Sequence, residues 1–240
     1  MEPTHPPARD HVAEVHGSSL SLGAPNRGRS REDMYVPSSF DVPDGRILES
    51  FISRYGFATL ITSSSAGLIA SHIPITLRKR GDANCLIGHV ARANNQWRAF
   101  DGKAEALAIF HGPHAYVSPT WYATSPAVPT WNYAAVHVYG KPAASDDRDF
   151  TKAALVDLVA KYESTRSNPW RAAGLAPDVF DKLASAIVAF EMPVERIEGK
   201  FKLGQNRSRE DRRGMLAGLD GEGTSDAELL ARFIREHAGV

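Results

Sequence analysis

Four planar side chains, Trp121, Tyr122, Trp131 and Tyr133, fall within residues 112–140 among four prolines, Pro113, Pro119, Pro126 and Pro129. Each aromatic ring turns about only two side-chain bonds and each proline has already lost its φ freedom, so a slot built from them gives up little entropy on taking a ligand. A flat cofactor suits such a slot, and a core hairpin capped by aromatics accounts for the same residues. The segment runs on into a period-two alternation that puts Tyr133, Ala135, His137 and Tyr139 on one face of a strand.

Three further stretches carry candidate chemistry. Gly88-His89-Val90-Ala91-Arg92-Ala93-Asn94-Asn95-Gln96-Trp97 ends a strand and opens a helix. Helix starts present unpaired N–H groups, and the fork of Arg92 matches phosphate oxygens; the alternative is that Arg92 and Asn94 satisfy local backbone groups. In Ser71-His72-Ile73-Pro74, Pro74 has no N–H for a sheet ladder and must lie at an edge or a bulge. Exposed strand backbone there would meet the carbonyls and ring nitrogens of a flavin, while His72 is either a metal ligand or a structural residue. Lys202-Leu203-Gly204-Gln205-Asn206 joins a cation to a Gly and two amides, the composition of a specific turn. His111 and His114 have His-x-x-His spacing, but Gly112 and Pro113 between them forbid a regular helix and no third ligand stands at a conventional offset, which argues against zinc. The chain has no G-x-S-x-G elbow, no G-x-G-x-x-G turn and no Gly-Lys followed by Ser or Thr. No side chain is an unambiguous acid, base or nucleophile, so any redox chemistry would be a cofactor's.

The elements needed to hold these groups are legible in outline. Short β-rich runs at 57–62, 68–71, 73–78 and 85–90, separated by Ser/Gly or Gly-Asp signals, have the spacing of an antiparallel meander or barrel, joined by a further strand at 104–110. Helices are predicted over 44–55, over 91–100, from an Asp146 cap through Phe150, Ala154, Leu155, Leu158, Val159 and Tyr162, and from Pro177 with Phe180, Leu183, Ala184 and Ile187 inward. A strand follows through Phe190 and 194–197, then the most basic stretch, 200–213, and a last helix with Ser225 and Glu228 at capping-box spacing. Helices inserted between strand sets, rather than alternating with each strand, predict an α+β barrel with peripheral helices. Residues 1–33 lack hydrophobic periodicity and read as a disordered tail, with Arg27, Arg29 and Arg31 as a small basic cluster. The domain is expected over 34–219, with 220–240 a C-terminal helix.

With 28 Lys+Arg against 28 Asp+Glu, the charge is balanced, which argues against a broad nucleic-acid footprint. The single cysteine, Cys85, excludes an internal disulfide framework and fits a reducing compartment. No apolar run is long enough to span a bilayer and the first 33 residues lack a secretory apolar region, so the expectation is a soluble cytoplasmic protein.

Together the motifs resemble the PaiB-type proteins, labelled FMN-binding negative transcriptional regulators, with the flavin-reductase-like split β-barrel. The resemblance covers about 34–219 and rests on Met34-Tyr35-Val36-Pro37, Ser71-His72-Ile73-Pro74, the 88–94 stretch, residues 110–119, Pro129-Thr130-Trp131-Asn132-Tyr133 with residues 136–140, and residues 199–207. Asn95 stands where the family usually has Pro, and Gly204 where Ser is frequent. The resemblance implies a homodimer with FMN at the subunit interface. It implies that His72, Ile73 and Pro74 lie along the isoalloxazine edge, that Arg92 and Asn94 reach the phosphate, and that Trp131 and Asn132 come from the partner; His89, Trp97, Lys202 and Gln205 complete the cofactor-binding set. Piperazate synthases look like the same family yet bind haem b and form an N–N bond from N5-hydroxyornithine. Five histidines in the barrel portion, His72, His89, His111, His114 and His137, leave axial ligation open, with His72 the preferred metal ligand if the cofactor is haem. A DNA-binding regulator is the third reading.

Overall fold

Two long strands change partners halfway along, and in both the change falls at a proline. In the computed structural model, which describes residues 34–65, 67–81 and 83–239, strand β2 (Gly67–Arg80) pairs antiparallel with β1 (Phe57–Ser64) from Gly67 to Pro74, then with β3 (Ala83–Ala91) from Ile75 to Arg80. Strand β7 (Ile187–Lys202) pairs with β3 from Ile187 to Pro193 and with β5 (Thr130–Gly140) from Val194 onward. A strand between two ladders has one stretch of backbone facing neither, and a residue without an N–H costs least there. Strand β4 (Ala106–Val117) joins β1 to β5, and the two-residue β6 (Ala143–Ala144) adds to β7. The order is β3-β2-β1-β4-β5-β7-β6, and the β3–β7 pairing closes the sheet. This is an antiparallel α+β split barrel.

Strand alternation fills the interior: Leu60, Ile75, Leu86, Phe110, Val136, Val138, Phe190 and Met192 are essentially inaccessible to solvent. Helix α1 (Gly45–Arg54), started by Asp44 accepting from the Arg46 N–H, packs Leu48, Phe51 and Ile52 onto the barrel. Phe51 meets Phe201 of β7 and Phe233 of α5 (Ser225–His237) at ring-centroid distances of 5.2 and 6.0 Å. Leu230, Ala231, Phe233 and Ile234 of α5 belong to the same core as the barrel strands. Helix α2 (Arg148–Glu163) and helix α3 (Pro177–Ser185) lie between β6 and β7 in sequence, and α4 (Arg209–Gly221) follows β7.

Several sequence expectations shift. The runs at 68–71 and 73–78 are one strand, because Pro74 ends one pairing without ending the strand. The helix expected over 91–100 is a short 3-10 turn, Asn95–Ala99, since β3 continues to Ala91. Asp147 rather than Asp146 caps α2, and Thr224 rather than Ser225 caps α5. Ile187 opens β7, and Leu183 of α3 is 53% exposed, so of the α3 stripe only Ala184 is buried. Helix α4 lies in a stretch whose charge hides its buried Met215, Leu216 and Leu219. The tail expected over 1–33 lies outside the described residues.

Candidate functional site

The outer face of the barrel gathers the aromatic and imidazole side chains. In register across the sheet stand His72 (β2), Thr59 (β1), Ile109 (β4), His137 (β5) and Glu198 (β7). A register shift in β4 between His111, opposite Ala135, and His114, opposite Tyr133, puts these two residues, three apart in sequence, on the same face of the sheet. The alternation of β5 holds as expected: Asn132, Ala134, Val136 and Val138 point inward, leaving Trp131, Tyr133, Ala135, His137 and Tyr139 on the other face. There a hollow of about 560 Å³ is lined by Met34, Tyr35, His111, His114, Trp131, Tyr133, His137 and Lys200. Trp131 is 55% and Tyr35 76% exposed, with Tyr116 edge-on to Trp131 at 6.4 Å.

Burial lowers the pKa of His111, and its neighbours His114 and His72 push the same way. Burial likewise lowers that of His137; Glu198 opposes the shift while His111 and Lys200 add to it. These two imidazoles are therefore held neutral near pH 7. The Nδ1 of His137 is buried without a partner, and His72 shares a hydrogen bond of 3.0 Å between its Nδ1 and the Thr59 hydroxyl. Glu198 accepts from the Met34 N–H at 3.0 Å and from Arg196 Nη1 at 3.0 Å, and Lys200 Nζ donates to the Tyr35 carbonyl at 2.8 Å. The bonds to Met34 and Tyr35 tie these two residues to the rim of the hollow.

The second gathering is at the mouth of the split, where β2 leaves β3. The Ile75 N–H donates to the Gly56 carbonyl, so by alternation the backbone groups of Pro74 and His72 turn to the other edge of β2, which no strand among the described residues covers between Gly67 and Ile73. Asn94 caps the 3-10 turn by accepting from the Gln96 N–H at 3.0 Å and bridges the split by donating to Ser71 Oγ at 2.8 Å. Arg92 donates from Nε to the Ser185 carbonyl at 2.8 Å and from Nη2 to the Ile187 carbonyl at 3.0 Å, closing the end of α3. Trp97 Nε1 donates to the Arg92 carbonyl, and His89, its pKa lowered by burial, is paired in register with Ala189.

The structure thus brings Asn94 to Ser71, next to His72, Ile73 and Pro74, ties Trp97 to Arg92, turns the Arg92 guanidinium to the end of α3, and puts Trp131 on the outer face. It separates Asn132 from Trp131: Asn132 is 1% exposed and donates to Met215 Sδ of α4. Gln205 is spent on its own turn, accepting from the Leu203 N–H and donating to the Phe201 carbonyl. Gln96, fully buried, donates to the carbonyls of Leu60 and Ile69 and to the Thr62 hydroxyl; nothing in its type or spacing marked it as the pin of the split. Lys200 and the His137–Glu198 pair were likewise missed, since they meet only through strand register. Among the described residues no group of three or more His, Cys, Asp or Glu could hold a metal ion, and no helix is long and apolar enough to cross a membrane.

The loop that delivers Trp131 is clamped to α4. Asp211 accepts from the Thr124 N–H at 2.9 Å and the Thr124 hydroxyl at 2.6 Å, and Arg207 stacks 4.4 Å from the Tyr122 ring centroid. Trp121 lies against Gly214 and Gly218, where an added Cβ would come within 2.1 Å of the Trp121 carbonyl oxygen and 2.2 Å of its ring.

A closed antiparallel split barrel with an aromatic outer face defines a fold shared with flavin- and haem-associated proteins. The flavocytochrome Anf3 from Azotobacter vinelandii superposes with a TM-score of 0.50 at 14% identity, covering 68% of this chain and 69% of that one. The FAD and haem binding protein from Mycobacterium smegmatis superposes with a TM-score of 0.52 at 16% identity, covering 68% and 73%. Residues 34–196 match the family described as "Putative FMN-binding domain", and the chain belongs to that family. The Bacillus subtilis protein named protease synthase and sporulation protein PAI 2 is 36% identical over 203 residues, 85% of this chain and 97% of its own length. An uncharacterised protein of Emericella nidulans is 30% identical over 230 residues, 79% and 92% of the two chains.

Proposed function

We propose that the protein binds FMN between two copies of itself, the flat ring lying along the β2 edge of one copy and against the outer-face aromatics of the other. The observation that carries this reading is the uncovered β2 edge from Gly67 to Ile73: a planar heterocycle with ring carbonyls and nitrogens is matched by the N–H and C=O groups of a strand edge. The residues fit the group in three respects. The strand edge supplies alternating donors and acceptors, Trp131 and Tyr133 supply flat apolar walls, and Arg92 stands beside the split with a guanidinium for phosphate. Binding would redirect Arg92 from the Ser185 and Ile187 carbonyls, or use the N–H groups it leaves. An exposed Trp131 on a hollow that a second copy could close, with the exposed Tyr116 edge-on beside it, supports dimerisation. In this arrangement His72, Ile73 and Pro74 orient the ring, and the aromatic wall excludes water from it. The redox chemistry is what FMN supplies when bound.

One observation favours a second reading, with haem in the same place. Four imidazoles, His72, His111, His114 and His137, share the outer face, and burial keeps two of them neutral, the form that ligates iron. His72 is the preferred ligand, because Thr59 holds its Nδ1 and leaves Nε2 to coordinate. The visible spectrum of the purified dimer separates the two. Flavin maxima support FMN; a Soret band overturns it in favour of haem.

A further inference from the structure

Three cations, Lys200, Lys202 and Arg207, stand near one another at one end of the outer face, and among the described residues none of them forms an ion pair. Lys200 and Lys202 are two residues apart on β7 and face the same way, in register with Ala135 and Tyr133 of β5. Lys202 is half-buried and hydrogen-bonds to the Thr130 hydroxyl, one residue before the exposed Trp131. Lys200 Nζ lies 5.6 Å from the Tyr133 ring centroid, and Arg207, in the turn between β7 and α4, stacks on Tyr122. No ion pair among the described residues involves any of the three; Glu198 is engaged by Arg196, Asp211 by Thr124, and Asp41, bridged to Lys200 through the backbone, has an interaction of its own. Burial lowers the pKa of Lys202, and Lys200 and Arg207 each lower it further. A half-buried ammonium with only positive neighbours is unfavourable as it stands, and a bound oxyanion relieves it.

We propose that Lys202, flanked by Lys200 and Arg207, seats the carboxylate or phosphate of a small anionic substrate whose body lies on the Trp131–Tyr133 wall. This rests on the flavin reading above. The same chemistry would also take the cofactor's own phosphate, which is where sequence resemblance places Lys202. The register argues for the substrate: Lys202 is paired with Tyr133 and bonded to Thr130, beside the Trp131 wall that would meet the ring, whereas Arg92 and Asn94 stand on the stretch that follows β3. The phosphate end of FMN is already provided for at the split, by Arg92. In a two-fold pair the seat faces the ring, where a reacting molecule must lie.

The test titrates inorganic phosphate into the full chain by calorimetry, as purified and again after loading with FMN, with chloride at matched ionic strength as control. Saturable phosphate binding is expected in both forms, weakened at least tenfold in Lys202→Gln, whose flavin occupancy, absorption spectrum and melting temperature match the wild type. Absence of saturable phosphate binding to the wild type overturns the proposal. So does a Lys202→Gln protein that loses FMN in step with phosphate, or phosphate that FMN displaces, since either assigns the seat to the cofactor. A chain that takes up no FMN refutes the flavin reading alone, because the titration of the protein as purified still decides whether the seat exists.

Discussion

Two glycines of α4 should respond in opposite ways to the same substitution, because only one of them is covered. At Gly214 a methyl group would sit 2.1 Å from the Trp121 carbonyl oxygen, whereas at Gly221 it would meet nothing within 4 Å. Alanine gains up to about 1 kcal/mol over glycine in a helix, and this gain is available at both positions, though less at Gly221, where the helix ends. At Gly214 it is opposed by overpacking of roughly 1–3 kcal/mol, at the upper end here because the obstacle is backbone and cannot swing aside. The expected difference between Gly214→Ala and Gly221→Ala is therefore about 1–3 kcal/mol. At roughly 2–4 °C per kcal/mol for a domain of this size, that is a gap of several degrees in Tm, with Gly221→Ala at or above the wild type. Thermal melts followed by circular dichroism measure it, and Trp fluorescence should shift only in Gly214→Ala as the 118–129 loop is pushed off the helix. If the two variants melt together, the loop does not rest on α4 and the account of how Trp131 is held in place is wrong.

Acid should weaken the fold before carboxylates begin to titrate. His89, His111, His137 and His237 all have pKa values lowered chiefly by burial, so the folded state holds them neutral while the unfolded chain titrates near 6.5. Their stability contribution is complete above about pH 6.5 and is lost as pH falls towards the lowered folded values. Denaturant midpoints at pH 7.5 and 5.5 should show it, and equal midpoints would contradict the burial of these rings. The clamp on the loop has its own signature: Asp211→Ala removes both bonds to Thr124, so chymotrypsin should cut after Tyr122 faster in the variant than in the wild type. Equal cleavage of the two proteins would show that Asp211 does not restrain the loop.

The alternation of β5 could be read from sequence because a strand's two faces repeat every two residues whatever surrounds them. Pro74 signalled its own place because a missing N–H restricts where it can sit. What sequence could not give was register. The meeting of His72, His137 and Glu198 depends on which residue of one strand lies opposite which of the next. Likewise Arg92 and Asn94 were recognisable as donors, but whether they hold the protein's own carbonyls or a ligand depends on α3, far along the chain. Helix α4 escaped notice because its apolar positions are interrupted by the two glycines that let Trp121 approach and by charged residues, of which Arg209 and Arg213 are exposed. Gln96 is the clearest case: its role comes from being enclosed between β1 and β2, which no local pattern encodes.

The central claim is a flavin held between two copies of the chain. Size-exclusion chromatography of the FMN-loaded protein, with light scattering and visible absorption recorded across the same peaks, tests it directly. The account predicts flavin absorption confined to a peak with twice the mass of the 26.1-kDa chain, at one flavin per chain. Flavin retained on a monomer peak, or a dimer that carries none after loading, would contradict it.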